Sequence, residues 1–237
     1  MAPLKPKHFA KMHKGFDASI SSQHDCGQWC APLNGGQPIC CTTDAAIPIA
    51  DRAEWKHLMK QSDLWHLYKP AKDDKHAQKI VDELHPNCVA IECKGAAHCE
   101  RDNRTLACRA FPFYPYVDKN DEVLGLAYYW IFEDRCWVLS NLQIVDPEFV
   151  TQMLHTYEFL FAMDEDEFEA FRDHSAKQRR VFSRKKRVIP LIGRDGTLYK
   201  ILPKGKGIEP ATLSDFGKHG PYKSKKAYAK AVKDAQS

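Results

Sequence analysis

The spacing of the cysteines constrains this chain more than any other feature. Eight of the nine form two groups, which follow the patterns Cys-x3-Cys-x9-Cys-Cys and Cys-x4-Cys-x5-Cys-x8-Cys. These eight are Cys26, Cys30, Cys40, Cys41, Cys88, Cys93, Cys99 and Cys108. Buried cysteines often act as small apolar side chains, but that role gives no reason for short repeated spacings. The pattern therefore predicts ligands of a metal ion or an iron–sulfur cluster, whereas the separate Cys136 is predicted to be an ordinary buried thiol.

Disulfide bonds are the main alternative for these thiols, and they require an oxidising compartment. The segment Met1–His8 lacks the apolar core of a secretory signal. No later stretch reaches the roughly 18 consecutive apolar residues of a membrane-spanning helix. We therefore expect a cytoplasmic protein without a membrane segment, in which clustered and reduced cysteines indicate metal binding.

Local spacing supports a shared centre in the first cysteine group. If Asp25 opens a helix, Cys26 and Cys30 lie on one face, with their Cβ atoms about 5–6 Å apart. Adjacent residues diverge in regular structure, so Cys40 and Cys41 can serve one centre from a turn or two centres from a strand. Glycines before Cys40 and at Gly95 favour turns. The neighbouring imidazoles are predicted to be bystanders rather than ligands; they are His24 and His98.

Two segments resemble the bacterial cysteine-cluster proteins, a family of zinc- or iron-chelating domains that is often labelled CxxCxxCC. In that family an N-terminal group ends in Cys-Cys, and a distal group ends in Cys-Arg-x-Phe-Pro. Cys40-Cys41 is similar to the first ending, and Cys108-Arg109-Ala110-Phe111-Pro112 is similar to the second. The similarity covers about residues 24–115. Here the first group is more widely spaced than in the family, and Cys93 is an additional thiol.

The resemblance implies a zinc- or iron-binding domain, and an iron–sulfur cluster is often proposed for such proteins. We therefore expect a cluster, most simply of the 4Fe-4S type, with zinc as the alternative. Arg109 is the candidate cofactor-binding residue, because a cation beside four thiolates stabilises the net negative charge of either centre. Expected roles are electron transfer, metal handling or support of a binding surface. Two alternatives stay open: a zinc-stabilised interaction module, and a cluster-dependent enzyme of unknown substrate.

The charge distribution divides the chain. Residues 1–171 contain 17 Lys and Arg against 26 Asp and Glu, whereas residues 172–237 contain 18 against 5. We therefore predict a mobile basic arm at 1–22, a cysteine-cluster metal-binding domain at 23–171 and a basic C-terminal extension at 172–237. The overall prediction is a small α+β fold, in which helices and antiparallel strands are organised around a cysteine-ligated metal or iron–sulfur centre.

Hydrophobic periodicity predicts the individual elements. The predicted helices are 49–67, 76–84, 146–163 and 165–174, and 223–233 is predicted to be a short basic helix or a frayed tail. The predicted strands are 111–116, a hairpin over 123–139, and a pair at 188–192 and 197–202 that is joined by an Asp-Gly turn.

The run Lys177–Arg187 contains seven cations within eleven residues. A solvated helix face is the simplest interpretation, but such a run also attracts phosphate backbones or an acidic protein surface. Nucleic acid and an unidentified protein are therefore the candidate partners. By contrast, the acidic run 164–167 is interpreted as a solvated first helical turn, because the helix dipole favours carboxylates there.

Overall fold

Two antiparallel sheets and eight helices form the described part of the chain, which is residues 3–43 and 47–236 of a computed structural model. The strands are β1 (Ile49–Asp51), β2 (Trp65–Leu67), β3 (Cys88–Cys93), β4 (Phe113–Val117), β5 (Val123–Tyr128), β6 (Ile189–Gly193), β7 (Leu198–Ile201) and β8 (Ile208–Pro210). The helices are α1 (Pro6–Gly15), α2 (Gly27–Cys30), α3 (Arg52–Gln61), α4 (Lys75–Asp82), α5 (Leu106–Ala110), α6 (Pro147–Met163), α7 (Glu165–Arg184) and α8 (Lys225–Ala235).

The small sheet has the order β1-β3-β2, and the large sheet is a five-stranded meander from β4 to β8. All strand pairs are antiparallel. The predicted α+β class with antiparallel strands is therefore confirmed, while its organisation around a metal centre stays a prediction. None of the described helices is long and apolar enough to cross a membrane.

Strand β4 explains why the aromatic run is buried. Successive side chains of a strand point to opposite faces. Phe113 accordingly packs into the main core with α6, whereas Tyr114 and Tyr116 pack into a second core with α7 and β6. All five residues of the strand are buried. The sequence prediction of an aromatic core strand is confirmed.

Helix α1 corrects the expectation of a mobile arm at 1–22. Phe9 and Met12 are buried on one face of the helix, and Phe16 follows them into the core. Lysines occupy the other face of the helix. The high lysine content of this segment therefore suggested a mobile arm, although the segment has an apolar stripe. Residues 6–15 are therefore a structural element of the domain.

Two further expectations are wrong in part. The continuous helix over 49–67 is instead β1, α3 and β2, because the Asp51 carboxylate caps α3 by accepting a hydrogen bond from the Ala53 amide at 2.5 Å. The hairpin over 123–139 does not form. Strand β5 pairs with the preceding β4, and Trp130–Phe132 and Trp137–Ser140 form short 3-10 turns.

Other elements match their predictions closely. Helices α4, α6 and α8 and the β6–β7 pair lie where periodicity and turn residues place them. Helix α7 begins at the predicted residue but continues to Arg184. It therefore runs across the predicted domain boundary at residue 172, and it packs on β4 through Ser175 and Gln178, which are both fully buried.

Candidate metal centre

Short elements from separate parts of the chain carry the cysteines. Cys26 precedes α2 and Cys30 ends it, so the expected helical pair is present. Cys40 and Cys41 lie in a 3-10 turn over Ile39–Cys41. The remaining thiols lie at the two ends of β3, after the turn Ala96–His98 and within α5; they are Cys88, Cys93, Cys99 and Cys108. All nine cysteines of the chain are free.

The side chains of the adjacent residues Cys40 and Cys41 lie close together. Their Sγ atoms are 3.9 Å apart, which agrees with the expectation that a turn lets both serve one centre. The contact between the two sulfur atoms, together with the charge of Arg104, lowers the pKa of Cys41 to about 7. One thiol of this pair therefore ionises more readily than an isolated cysteine, and thiolate is the form that binds metals.

Cys108 connects this turn with the distal group. Its pKa is raised to about 12, mainly by burial, and the negative charges of Cys41, Cys99 and Cys93 add to the rise. Cys41 and Cys99 likewise contribute to the raised pKa of Cys93, after burial as the main cause. Four thiols from three segments thus lie within electrostatic range of one another. We call Cys41, Cys93, Cys99 and Cys108 the thiol quartet.

The first group adjoins the quartet. Burial raises the pKa of Cys26 to about 11, and the charge of Cys30 adds to it. Burial also raises the pKa of Cys30, with a smaller contribution from Cys41. Cys40 lies within range of both Cys26 and Cys108. Seven of the eight predicted ligands therefore lie within electrostatic range of at least one other.

Cys88 is the exception among the predicted ligands. It occupies the opposite end of β3 from Cys93, about 16 Å away at the usual rise of a strand. Its partner across the sheet is Asp51. Burial raises the pKa of Cys88 to about 11, and the charges of Glu167 and Asp51 add to the rise. The thiol therefore faces an acidic environment rather than the other cysteines.

Arg109 is buried and its guanidinium group binds backbone carbonyl groups. It donates to the carbonyl oxygens of His13, Asp102 and Arg104 at 3.0, 2.6 and 3.0 Å, and also to that of Phe16. These contacts tie the end of α1 to the loop between Cys99 and Cys108. The observed role of Arg109 is to position this loop, and a contact with a cofactor stays a prediction.

A buried pair, Glu54 and His13, supports the same loop. This pair was not identified from the sequence. Glu54 accepts a hydrogen bond from the Leu106 amide at 2.7 Å, and its other partner is His13 Nε2 at 2.8 Å. Both side chains are buried. The apolar spacing around His13 in α1 is the signal that could have placed this histidine inside. By contrast, Cys136 is buried as predicted, and His24 and His98 are exposed.

Among the described residues, no three or more His, Cys, Asp or Glu side chains are arranged to hold a single metal ion. Comparison of the chain with family models, curated proteins and solved structures finds no match.

Proposed function

We propose that the protein binds a metal centre through its clustered thiols, and that this centre is an iron–sulfur cluster held by the thiol quartet. The electrostatic influence that Cys41, Cys93, Cys99 and Cys108 exert on one another, from three segments, carries the proposal. A donor set made only of free thiols fits the preference of iron–sulfur clusters for four cysteine thiolates, whose sequence spacing varies between families. Cys26, Cys30 and Cys40 form an adjoining group of spare or alternative ligands. The resemblance to the cysteine-cluster family supports the same choice.

A bound cluster would supply one-electron transfer or a rigid link between the loops that carry its ligands. Electron transfer, metal handling and support of a binding surface are the corresponding roles. Free thiols in this number support a reducing, cytoplasmic environment. Zinc is the alternative centre, although paired Cys-x2–4-Cys knuckles typical of structural zinc sites are approximated only by Cys26 and Cys30 and by Cys88 and Cys93.

The test is elemental analysis with acid-labile sulfide and a visible spectrum on protein purified without oxygen. We expect iron with matching sulfide and a brown chromophore in the wild type. Cys108→Ser removes a quartet thiol, so its iron and sulfide contents should fall severalfold and its thermal stability should drop. Cys88→Ser is the matched control, because that thiol lies on the far end of β3, and its iron content should be unchanged. Equal iron in the Cys108 variant, or colourless protein with stoichiometric zinc, would contradict the cluster.

A second candidate function rests on the basic end of α7. Arg179 and Arg187 are engaged in the fold: Arg179 donates to the Val117 carbonyl at 2.5 Å, and Arg187 forms an ion pair with Glu133 at 2.5 Å. The other five cations of the run are exposed; they are Lys177, Arg180, Arg184, Lys185 and Lys186. Exposed cations on one helix end favour binding of a polyanion such as nucleic acid.

Replacing those five cations with glutamine should abolish salt-sensitive retention on heparin, because each phosphate or sulfate contact contributes to the salt dependence. The matched control replaces five exposed lysines elsewhere, and it should be retained like the wild type. The control positions are Lys56, Lys60, Lys69, Lys72 and Lys75. If both variants lose retention equally, net charge rather than this surface governs the binding.

A further inference from the structure

A large cavity lies beside the thiol quartet and belongs to none of the functions above. Its volume is about 850 Å³, and its walls come from β1, α3, α5, β4, α6 and α7. Cavities of roughly 300–1,000 Å³ are the size that encloses a small organic ligand. Cys40 and Cys108 form part of the wall, so an occupant would lie next to the clustered thiols.

Most of the wall is apolar, with a concentration of aromatic rings. Phe111, Phe113, Tyr129, Tyr157 and Phe171 all line the cavity. Phe113 and Tyr157 are almost fully buried in the protein core, so they form a rigid surface. Aromatic faces bind apolar groups and also attract organic cations through their ring electrons. An inorganic ion would leave this surface without a partner.

The charged groups of the wall have one sign. Six carboxylates line the cavity, namely Asp51, Glu54, Asp164, Asp166, Glu167 and Glu169. Among its described lining residues there is no lysine or arginine, and the basic side chains are His85 and His174. His85 Nε2 is 3.8 Å from the Asp166 carboxylate in an exposed pair. The cavity is therefore negative in a chain whose formal net charge is +4.

Several of these carboxylates raise one another's pKa, although Glu54 is paired with His13 and Glu169 with Arg172. The pKa of Glu167 is raised to about 7 by burial, with additional contributions from Asp164, Glu54 and Asp51. Burial likewise raises the pKa of Asp51, and Glu54 and Asp164 add to the rise. A cation placed among these groups would offset the repulsion, since a nearby opposite charge favours the ionised carboxylate.

His174 also lines the cavity. Its Nε2 atom is buried and has no hydrogen-bond partner among the described residues. Its ring lies edge-on to Tyr114 and Tyr129, at centroid distances of 4.6 and 5.1 Å. Burial lowers the pKa of His174, and the charge of Lys177 adds to the decrease. His174 therefore adds a further ring to the aromatic wall.

We infer that this cavity binds an organic ammonium compound, with its apolar body against the aromatic wall and its charged nitrogen among Asp51, Asp164 and Glu167. The site stands on its own lining and does not depend on whether the neighbouring thiols hold a metal. The protein would therefore bind an organic ammonium compound at a site separate from the proposed metal centre.

The test compares 4-phenylbutylammonium with the uncharged 4-phenylbutanol on the full chain at about pH 8, by calorimetry or ligand-observed NMR. The ammonium compound should bind about tenfold more tightly than the alcohol, because only it gains a charge-assisted contact with the carboxylates. Glu167→Gln should remove most of that difference while leaving the alcohol affinity unchanged. Glu165→Gln is the matched control, because Glu165 is exposed in the same helical turn and outside the cavity wall.

Equal affinity for the ammonium compound and the alcohol would overturn the inference, and so would unchanged ammonium binding by Glu167→Gln. Displacement of the ammonium compound by equimolar magnesium chloride would also overturn it, because the site would then be one for an inorganic cation. Iron and sulfide contents of the same samples are measured in parallel. A failure of metal binding is thus separated from a failure of ligand binding.

Discussion

The five-stranded sheet and the cysteine-rich loops of this molecule are ordered by different interactions. Every residue of β4 and β6 is buried, and the side chains on one face of the two strands form an apolar core with α7. In the distal cysteine loop, by contrast, every residue from Lys94 to Arg104 is exposed or half-buried, and its 3-10 turns are three residues long. Burial of apolar surface accounts for the sheet, whereas the loop depends on specific polar side chains and thiols.

We expect the largest loss of stability from a substitution in the core of the five-stranded sheet. Phe182 is 1% exposed, and its ring packs against Trp130 at a centroid distance of 6.0 Å. Phe182→Ala should lower the free energy of unfolding by about 3–5 kcal/mol, because the cavity left in a packed core is filled only partly. Urea denaturation measures this change. Val181→Ala, on the half-buried neighbour, is the control and should have a smaller effect.

If the two regions are ordered independently, the metal content of folded Phe182→Ala should equal that of the wild type. Loss of metal from this variant at a temperature where the sheet is intact would show that the two regions are not ordered independently.

In the cysteine-rich loops, we expect a substitution to lower the free energy of unfolding less than in the sheet but to lower metal content more. Arg109→Lys keeps the charge but loses the planar fork that binds four carbonyl groups, so the free energy of unfolding should fall by about 2–3 kcal/mol. Metal content should fall with it, because the loop between Cys99 and Cys108 is no longer held against α1. Arg101→Lys, on an exposed side chain of the same loop, is the control. Identical metal content in both variants would show that the Arg109 contacts do not position the thiols.

The cavity between the two regions predicts the smallest effect and a pH dependence. Because the pKa of Glu167 is raised from 4.5 to about 7 in the folded state, its protonation stabilises the fold below about pH 4.5, and this contribution is lost as the pH rises through 7. Glu167→Gln should therefore be more stable than the wild type at pH 8 by about 1–2 kcal/mol, after allowance for partial exposure.

The same variant and the wild type should converge in stability below about pH 4.5. Urea denaturation at several pH values checks this, with Glu165→Gln as the exposed control. A pH-independent difference would mean that Glu167→Gln acts through packing rather than through charge.

Local signals predicted the elements that depend on local interactions. Helix α6 follows from Asp146-Pro147 and an apolar stripe, and the β6–β7 pair follows from its Asp-Gly turn. The β4–β5 pairing was missed, although its two strands are close in sequence. Strand-forming residues continue past Tyr128 into the turn at Trp130–Phe132, so composition alone suggested the wrong partner.

For the candidate site, the residue types were predictable and their grouping was not. Spacing identified eight thiols, but it could not separate Cys88 from Cys93, because only the extended conformation of β3 places them at opposite ends. The same limit applies to Arg109. Its position beside Cys108 suggested a contact with the cofactor, whereas the structure directs its donors to the carbonyl groups of distant segments. Long-range contacts of this kind leave no local signal.

Helix α7 has a consequence for how the molecule responds to salt. Its 20 residues span about 30 Å, with carboxylates of the cavity wall at one end and exposed cations at the other. Ions screen charges over about 8 Å at physiological ionic strength. The cations at Arg184–Lys186 are therefore screened from the carboxylates, whereas Lys177 lies close enough to lower the pKa of His174 in the cavity wall. A polyanion held at Arg184–Lys186 would remain at a fixed distance from the carboxylates, beyond the range over which its charge acts through solvent.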